Sequence, residues 1–174
     1  MLTLVSPSEK YLHSYYEACL VTWGHVHNPY IIHNPAEYHI WSKTIFTDYD
    51  NQRKGIGIPA GYIPSVTYWM VDTDSKQYIG TVNIRLGLND VLSDYGGHVG
   101  YIIRNDMRGR GFGKKIFDLS IPAARQLGIT PILYTCIVAN AASHSILLSG
   151  NYIKKEYDET TADGVFCKVG RFWY

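Results

Sequence analysis

Between the apolar run HVGYII and the helix-like run KIFDLSIPAARQL lies RNDMRGRGFGKK, residues 104–115, with three glycines and five basic side chains in twelve residues. This stretch limits the fold more than any other. A helix that opens here exposes unpaired N–H groups and the positive end of its dipole. Gly109, Gly111 and Gly113 let the backbone bend and come close to a ligand, while Arg108, Arg110, Lys114 and Lys115 add full charges. The unit is strand, cationic turn, helix, and a pyrophosphate is its natural guest.

Spacing separates the motifs that share these features. A P-loop needs GxxxxGK followed by Ser or Thr, but Gly109 and Gly113 are one residue too close, and Lys115 stands where a magnesium ligand belongs. The dinucleotide fingerprint GxGxxG would need a small residue at Lys114. A nucleic-acid-binding RGG segment would be longer and would lack the flanking apolar patterns. The pattern that fits is Arg-x-x-Gly-x-Gly, at Arg108, Gly111 and Gly113.

The flanks complete an α/β layered domain with a mixed sheet. Ser6, Pro7 and Glu9 read as a capping box that starts a helix. Residues 22–66 mix Trp, Tyr, His, Gly and Pro, and read as loops and short helices, one of them near PAEYHIWSKTIF. VTYWMVD and QYIGTVNIRL, separated by TDSK, suit a hairpin. LNDVLSDYGG is a turn-rich connection and HVGYIIR a third strand. The next helix spans roughly 112–127, with Ile116, Leu119, Ala123 and Leu127 on its apolar face and Gly128 after its end. Pro122 should kink it. ILYTCIV, YIKKEYD and VFCKVGRFWY read as strands, and NAASHSILLSGNY as a short helix.

With 174 residues, 46% of them hydrophobic, the chain can bury a core as one domain over 1–174. Sixteen Lys and Arg against 15 Asp and Glu give a formal net charge of +1. That argues against nucleic acid or an anionic membrane as partner. Cys19, Cys136 and Cys167 form no CxxC pair, so neither a disulfide framework nor a metal site is expected. No apolar run approaches the length of about 20 residues needed to span a bilayer, and the start lacks a signal-peptide pattern. A cytoplasmic location is expected.

GGHVGYIIRNDMRGRGFG and ILYTCIVANAASHSILLSGNY, with the Asn-x-x-Ser pair Asn140 and Ser143, resemble the central strand, acyl-CoA loop and following strand and helix of the GNAT acetyltransferase superfamily. YWMVD, IGTVNIR, LND and GRFWY are similar to a bacterial branch of that family. The resemblance covers residues 64–174 well and the first 60 weakly. It implies a mixed, mostly antiparallel central sheet flanked by helices on both faces, with 22–66 on the acceptor side. It also implies acetyl-CoA as cosubstrate and a small-molecule or peptide amine as acceptor, and it allows a homodimer.

Carried onto this chain, the resemblance implies that a bulge in the central strand opens a gap for the pantetheine arm, lined by Tyr101, Ile102 and Ile103. The amides of Gly109, Arg110, Gly111, Phe112, Gly113 and Lys114, with the Arg108 side chain, would hold the pyrophosphate. Asn140 and Ser143 would face the arm, and a backbone N–H near Ile103 would stabilise the oxyanion as the amine attacks the thioester directly. His98 is the candidate base, although five residues to Ile103 span roughly 16 Å, so a water relay or a folded-back acceptor is needed. Ordering of the DYGG turn is its other reading, and Asp90 and Asp94 are rival bases. Many family members carry a proton-donating tyrosine where this chain has Leu147, and Tyr134, Tyr152 and Tyr157 do not occupy the position. Another group then donates the proton, or the thiolate leaves unassisted. A non-catalytic acyl-CoA-binding sensor is the alternative reading.

Elsewhere, His25, His27, His33 and His39 have no acidic or cysteine companions and read as loop residues, not ligands. Trp23, Trp41 and Trp69 are candidates for the acceptor pocket or for the core. Cys136 reads as an inert core residue.

Overall fold

The computed structural model describes residues 1–25, 32–162 and 165–174. Strands β1 (Leu2–Val5), β2 (Ser65–Asp72), β3 (Gln77–Arg85) and β4 (Val99–Ile103) form one sheet in that order. Strands β5 (Leu133–Ile137), β6 (Lys154–Ala162) and β7 (Val165–Trp173) form a second, in the order β5-β7-β6. Every ladder is antiparallel. The helices are α1 (Glu9–Thr22), α2 (Tyr38–Lys54), α3 (Asp90–Asp94), α4 (Phe112–Gln126) and α5 (Ala141–Leu148).

Each face of the first sheet has its own core. Trp69, Val71 and Tyr78 pack with Tyr15 of α1 and Trp41 and Ile45 of α2. The Tyr15 and Trp69 rings stack with centroids 4.5 Å apart, a geometry worth about 1 kcal/mol beyond the area it buries. Val82, Ile84, Val99 and Ile103 pack on the other face against Ile116, Phe117 and Ala124 of α4. Helices therefore cover both faces, as expected. Trp41 and Trp69 are buried in the first of these cores.

Several local expectations change. No side chain caps α1: Ser8, not Ser6, precedes it in an extended conformation (φ −154°), and its carbonyl accepts from the Tyr11 amide. Within 22–66 lies a helix of 17 residues, α2, longer than the short pieces anticipated. It buries only Trp41 and Ile45, so its hydrophobic repeat is faint, and it ends on Gly55 in the left-handed region (φ 74°). The connection after β3 holds the short helix α3, capped by the Asn89 side chain on the Leu92 amide. Helix α4 continues through Pro122, which lies on its exposed face, where water can take the carbonyl that proline leaves unpaired. Its fully buried residues are Ile116, Phe117, Ser120 and Ala124, so the inward stripe is rotated from the anticipated one.

The central strand also departs from expectation. Its ladder with β3 runs unbroken from Gly80 opposite Ile103 to Ile84 opposite Val99. The irregular register lies instead between Met70 and Val71, in the β2–β3 ladder. The gap between β4 and β5 does not come from a slip in the β4 register. It opens because β5 takes its ladder from β7 and meets β4 only at its beginning.

Candidate functional site

That meeting point is His98. Its amide donates to the Leu133 carbonyl (2.7 Å), and its Nδ1 accepts from the Leu133 amide (2.9 Å). From there β4 and β5 run on either side of a cleft lined by Val99, Gly100 and Tyr101 on one side and Tyr134 to Ile137 on the other. Hydrogen bonding in an antiparallel pair alternates along the strand. The Arg85 amide donates to the His98 carbonyl and the Arg104 amide to that of Ile79. The His98 carbonyl and the backbone groups of residues 100, 102 and 104 are thereby turned toward β3. The amides and carbonyls of Val99, Tyr101 and Ile103 consequently point into the cleft, an open strand edge. The Ile103 carbonyl accepts there from Arg108 Nε (3.3 Å).

Beyond Tyr101 the cleft widens into a cavity of about 730 Å³ that reaches Arg108, Gly109, Gly111, Gly113 and Lys114. Gly109 (φ 74°) and Gly111 (φ 81°) are left-handed, with open space where a side chain would project. Gly113 serves a different purpose, since a Cβ there would lie 3.0 Å from Ile146 Cδ1, so glycine lets α4 and α5 approach. The first helical amide to find a carbonyl in the turn is that of Lys115, on Gly111 (3.2 Å). The amides of residues 109–114 find no acceptor among the described residues. No acidic side chain occupies the first turn of α4. These are the features of an anion site, and a coenzyme pyrophosphate fits them. Two of the basic residues serve the protein: Lys114 pairs with Asp118, and buried Arg104 with Asp106 (2.7 Å).

Helix α5 closes the cleft. Asn140 is its N-cap, with Oδ1 accepting from the Ser143 amide (3.3 Å), and both residues line the cavity. Among the described residues, the buried Tyr101 hydroxyl has no hydrogen-bonding partner of good geometry. Burial pushes its pKa up to about 12, and the neighbouring Ser143 side chain pulls the other way. The sequence marked Tyr101 as a lining residue. Nothing in it signalled the free hydroxyl.

The structure gives His98 another task than that of a base. Burial, then the nearby Arg85 charge, lowers its pKa, so the ring is neutral at pH 7. A neutral imidazole has one lone pair, and here the Leu133 amide occupies it. Asp90 and Asp94 are exposed on α3, and Asp94 lies 3.7 Å from Arg171. No carboxylate is among the residues lining the cleft. Leu147, in the usual tyrosine position, is buried and lines the cleft. Two alternative tyrosines are engaged elsewhere, Tyr134 with Ser120 (2.7 Å) and Tyr157 with His144 (3.0 Å), while Tyr152 packs on Phe172.

Burial raises the Cys136 thiol to about 11, as suits an inert core residue. His25 lines the cavity that reaches Arg108 and Lys114. His33 accepts or donates at Tyr15 (2.6 Å), and burial holds its pKa near 4. His27 lies outside the described residues. No group of three or more potential metal-ligating side chains occurs among those described. No described helix is long and apolar enough to cross a membrane.

A second cavity, of about 530 Å³, adjoins the cleft through Arg85, which lines both. Its walls include Ala60 to Ile63, from the glycine-rich KGIGIPAGYIP segment, the polar sheet residues Ser65 and Asn83, and α3. It opens on the sheet face covered by α1 and α2, the side expected to receive the acceptor.

The family model of the acetyltransferase (GNAT) domain matches residues 2–149. No curated protein sequence matches the chain. Among solved structures, the GNAT-family acetyltransferase from Streptococcus pneumoniae superposes with a TM-score of 0.62 at 14% identity, covering 100% of this chain and 99% of that one. The microcin self-immunity acetyltransferase MccE, solved with acetyl-CoA and AMP, gives 0.61 at 15%, covering 99% and 91%. A chimera of the spermidine N-acetyltransferase SpeG from Vibrio cholerae and hSSAT gives 0.59 at 16%, covering 99% and 93%. At such identities the superpositions speak for the fold. Together with the domain match over most of its length, they establish that this chain belongs to the GNAT acetyltransferases, which draw their acetyl group from acetyl-CoA.

Proposed function

We propose that the chain, acting over its whole length as one catalytic domain, transfers the acetyl group of acetyl-CoA to a primary amine that attacks the thioester directly. The observation that carries this reading is one cleft joining the unpaired amides of residues 109–114 to the open edge of β4, and from there to the cavity beside Arg85. The strands that follow the matched region belong to the same unit, because β7 supplies the ladder of β5.

The amides of Gly109 to Lys114 and the Arg108 side chain hold the pyrophosphate. The pantetheine arm lies along Tyr101, Ile102 and Ile103, with Asn140 and Ser143 opposite. The Tyr101 or Ile103 amide meets the thioester oxygen as it gains negative charge, a contact worth about 3 kcal/mol when aligned. With no carboxylate in the cleft and His98 occupied, the amine reacts in its own free-base form.

Tyr101 takes the part of the absent tyrosine from the other side of the cleft. With a pKa near 12 it stays protonated, whereas a thiol titrates near 8.5. Complete proton transfer to sulfur would be uphill by about 5 kcal/mol. The hydroxyl therefore donates a hydrogen bond to the departing thiolate and keeps its proton. The observation that favours a sensor instead is Leu147 in the family's tyrosine position. Incubation with acetyl-CoA and a panel of amines, following free thiol, decides between the two. Release with an amine supports transfer, and coenzyme A binding without turnover on any amine supports the sensor.

A further inference from the structure

Arg85 sits at the junction of the two cavities with its guanidinium largely out of solvent. Its Nη1 donates to the carbonyls of Gly96 (2.7 Å) and Gly97 (3.3 Å). Among the described residues it makes no ion pair, and no Asp or Glu lines either cavity. The polar groups beside it are neutral and committed to one another. Asn83 donates to Ser65 (3.0 Å) and Thr67 (3.1 Å), and Asn89 to the Gly61 carbonyl (2.8 Å). A cation withdrawn from water without a counter-charge is costly, and the two glycine carbonyls supply hydrogen bonds but no charge; among the described residues none pairs with this guanidinium.

We propose that the acceptor amine itself carries the missing anion, a carboxylate or phosphate oxyanion that pairs with Arg85 while the amino group reaches the open edge of β4. The inference rests on the acetyl-transfer reading and narrows its substrate class. Arg85 is level with His98, whose carbonyl its amide meets. Three residues along β4 to Tyr101 is about 10 Å. The Arg85 side chain and an acceptor of amino-acid size together span that distance. A polyamine would meet a buried positive charge there and no carboxylate for its ammonium groups.

The test compares thiol release for matched acceptors: an amino acid against its carboxamide, 2-aminoethyl phosphate against ethanolamine, and spermidine. The anionic member of at least one pair should lead by about tenfold or more in kcat/KM, and which pair does so tells carboxylate from phosphate. Ser65→Asp is the decisive variant. Ser65 and Arg85 are direct cross-strand partners, so the new carboxylate neutralises Arg85 and still accepts from Asn83. It should abolish the preference and leave the KM for acetyl-CoA within about twofold, whereas Arg85→Gln also removes the bonds to Gly96 and Gly97. Equal or better rates for neutral amines or spermidine with the wild type would overturn the proposal while leaving acetyl transfer intact. If no amine reacts although calorimetry shows coenzyme A binding, the transfer reading fails. Calorimetry with the same amino acid and 2-aminoethyl phosphate then reads Arg85 directly: binding lost in Ser65→Asp supports the anion site, and no wild-type binding of either refutes it.

Discussion

Replacing His98 by alanine and by asparagine separates a base from a structural clasp. In the folded protein the His98 Nδ1 accepts from the Leu133 amide, and Leu133 is 2% exposed. Alanine leaves that amide buried without an acceptor, at a cost of about 2 kcal/mol. For a domain of this size that lowers the melting temperature by about 4–8 °C. Asparagine puts an amide oxygen close to where Nδ1 stood, so it should melt within about 2 °C of wild type. A catalytic base contributes about 10²–10⁴ in rate, and neither substitute can supply one. If His98 is a clasp, His98→Asn retains kcat within about threefold. The rate then rises with pH toward the pKa of the amine, without an inflection from histidine. The assays are differential scanning fluorimetry and thiol release between pH 5.5 and 9.5. An asparagine variant that melts like wild type but loses a hundredfold or more in kcat would refute this reasoning.

Other perturbations test the rest of the site. Gly111 has φ 81° and open space beside it, so Gly111→Ala should cost only the left-handed strain, about 1–2 kcal/mol. Gly111→Asp adds a carboxylate where a pyrophosphate should sit and should weaken coenzyme A binding about a hundredfold by calorimetry; equal affinity would remove the anion site. Tyr101→Phe should lower kcat about tenfold at nearly constant KM for acetyl-CoA, as expected for a bond formed to the leaving sulfur. An unchanged kcat would leave the thiolate unassisted. Burial holds His33 near pH 4, so between there and about 6.5 the unfolded chain binds the extra proton. Its contribution is complete above pH 6.5 and is lost as the pH falls toward 4, about 3 kcal/mol in all. Urea titrations at pH 7 and 4.5 should show that loss in wild type and a smaller one in His33→Gln.

The strand–turn–helix unit was legible because its information is local. Left-handed glycines, adjacent charge and the amide-rich start of α4 all lie within residues 104–115, and the Asn140 cap closes within four residues. The β2–β3 hairpin and α4 were readable for the same reason, each from its own periodicity and turn. Helix α2 was obscured because only Trp41 and Ile45 of its 17 residues are fully buried, so the pattern that would mark its length is thin.

The catalytic reading depended on contacts that no local pattern encodes. His98 resembles a poised base until Leu133, 35 residues on, takes its lone pair. The free hydroxyl of Tyr101 matters because Tyr134 and Tyr157 have found partners. Nothing local to the end of β3 singles out Arg85, and its significance lies in a carboxylate that none of the described residues around it provides. Local sequence determines where an anion can be bound, because backbone angles and amide direction are set within a few residues. Which lone pair, hydroxyl or cation remains unpaired is decided by the tertiary structure, because that depends on every element packed around it.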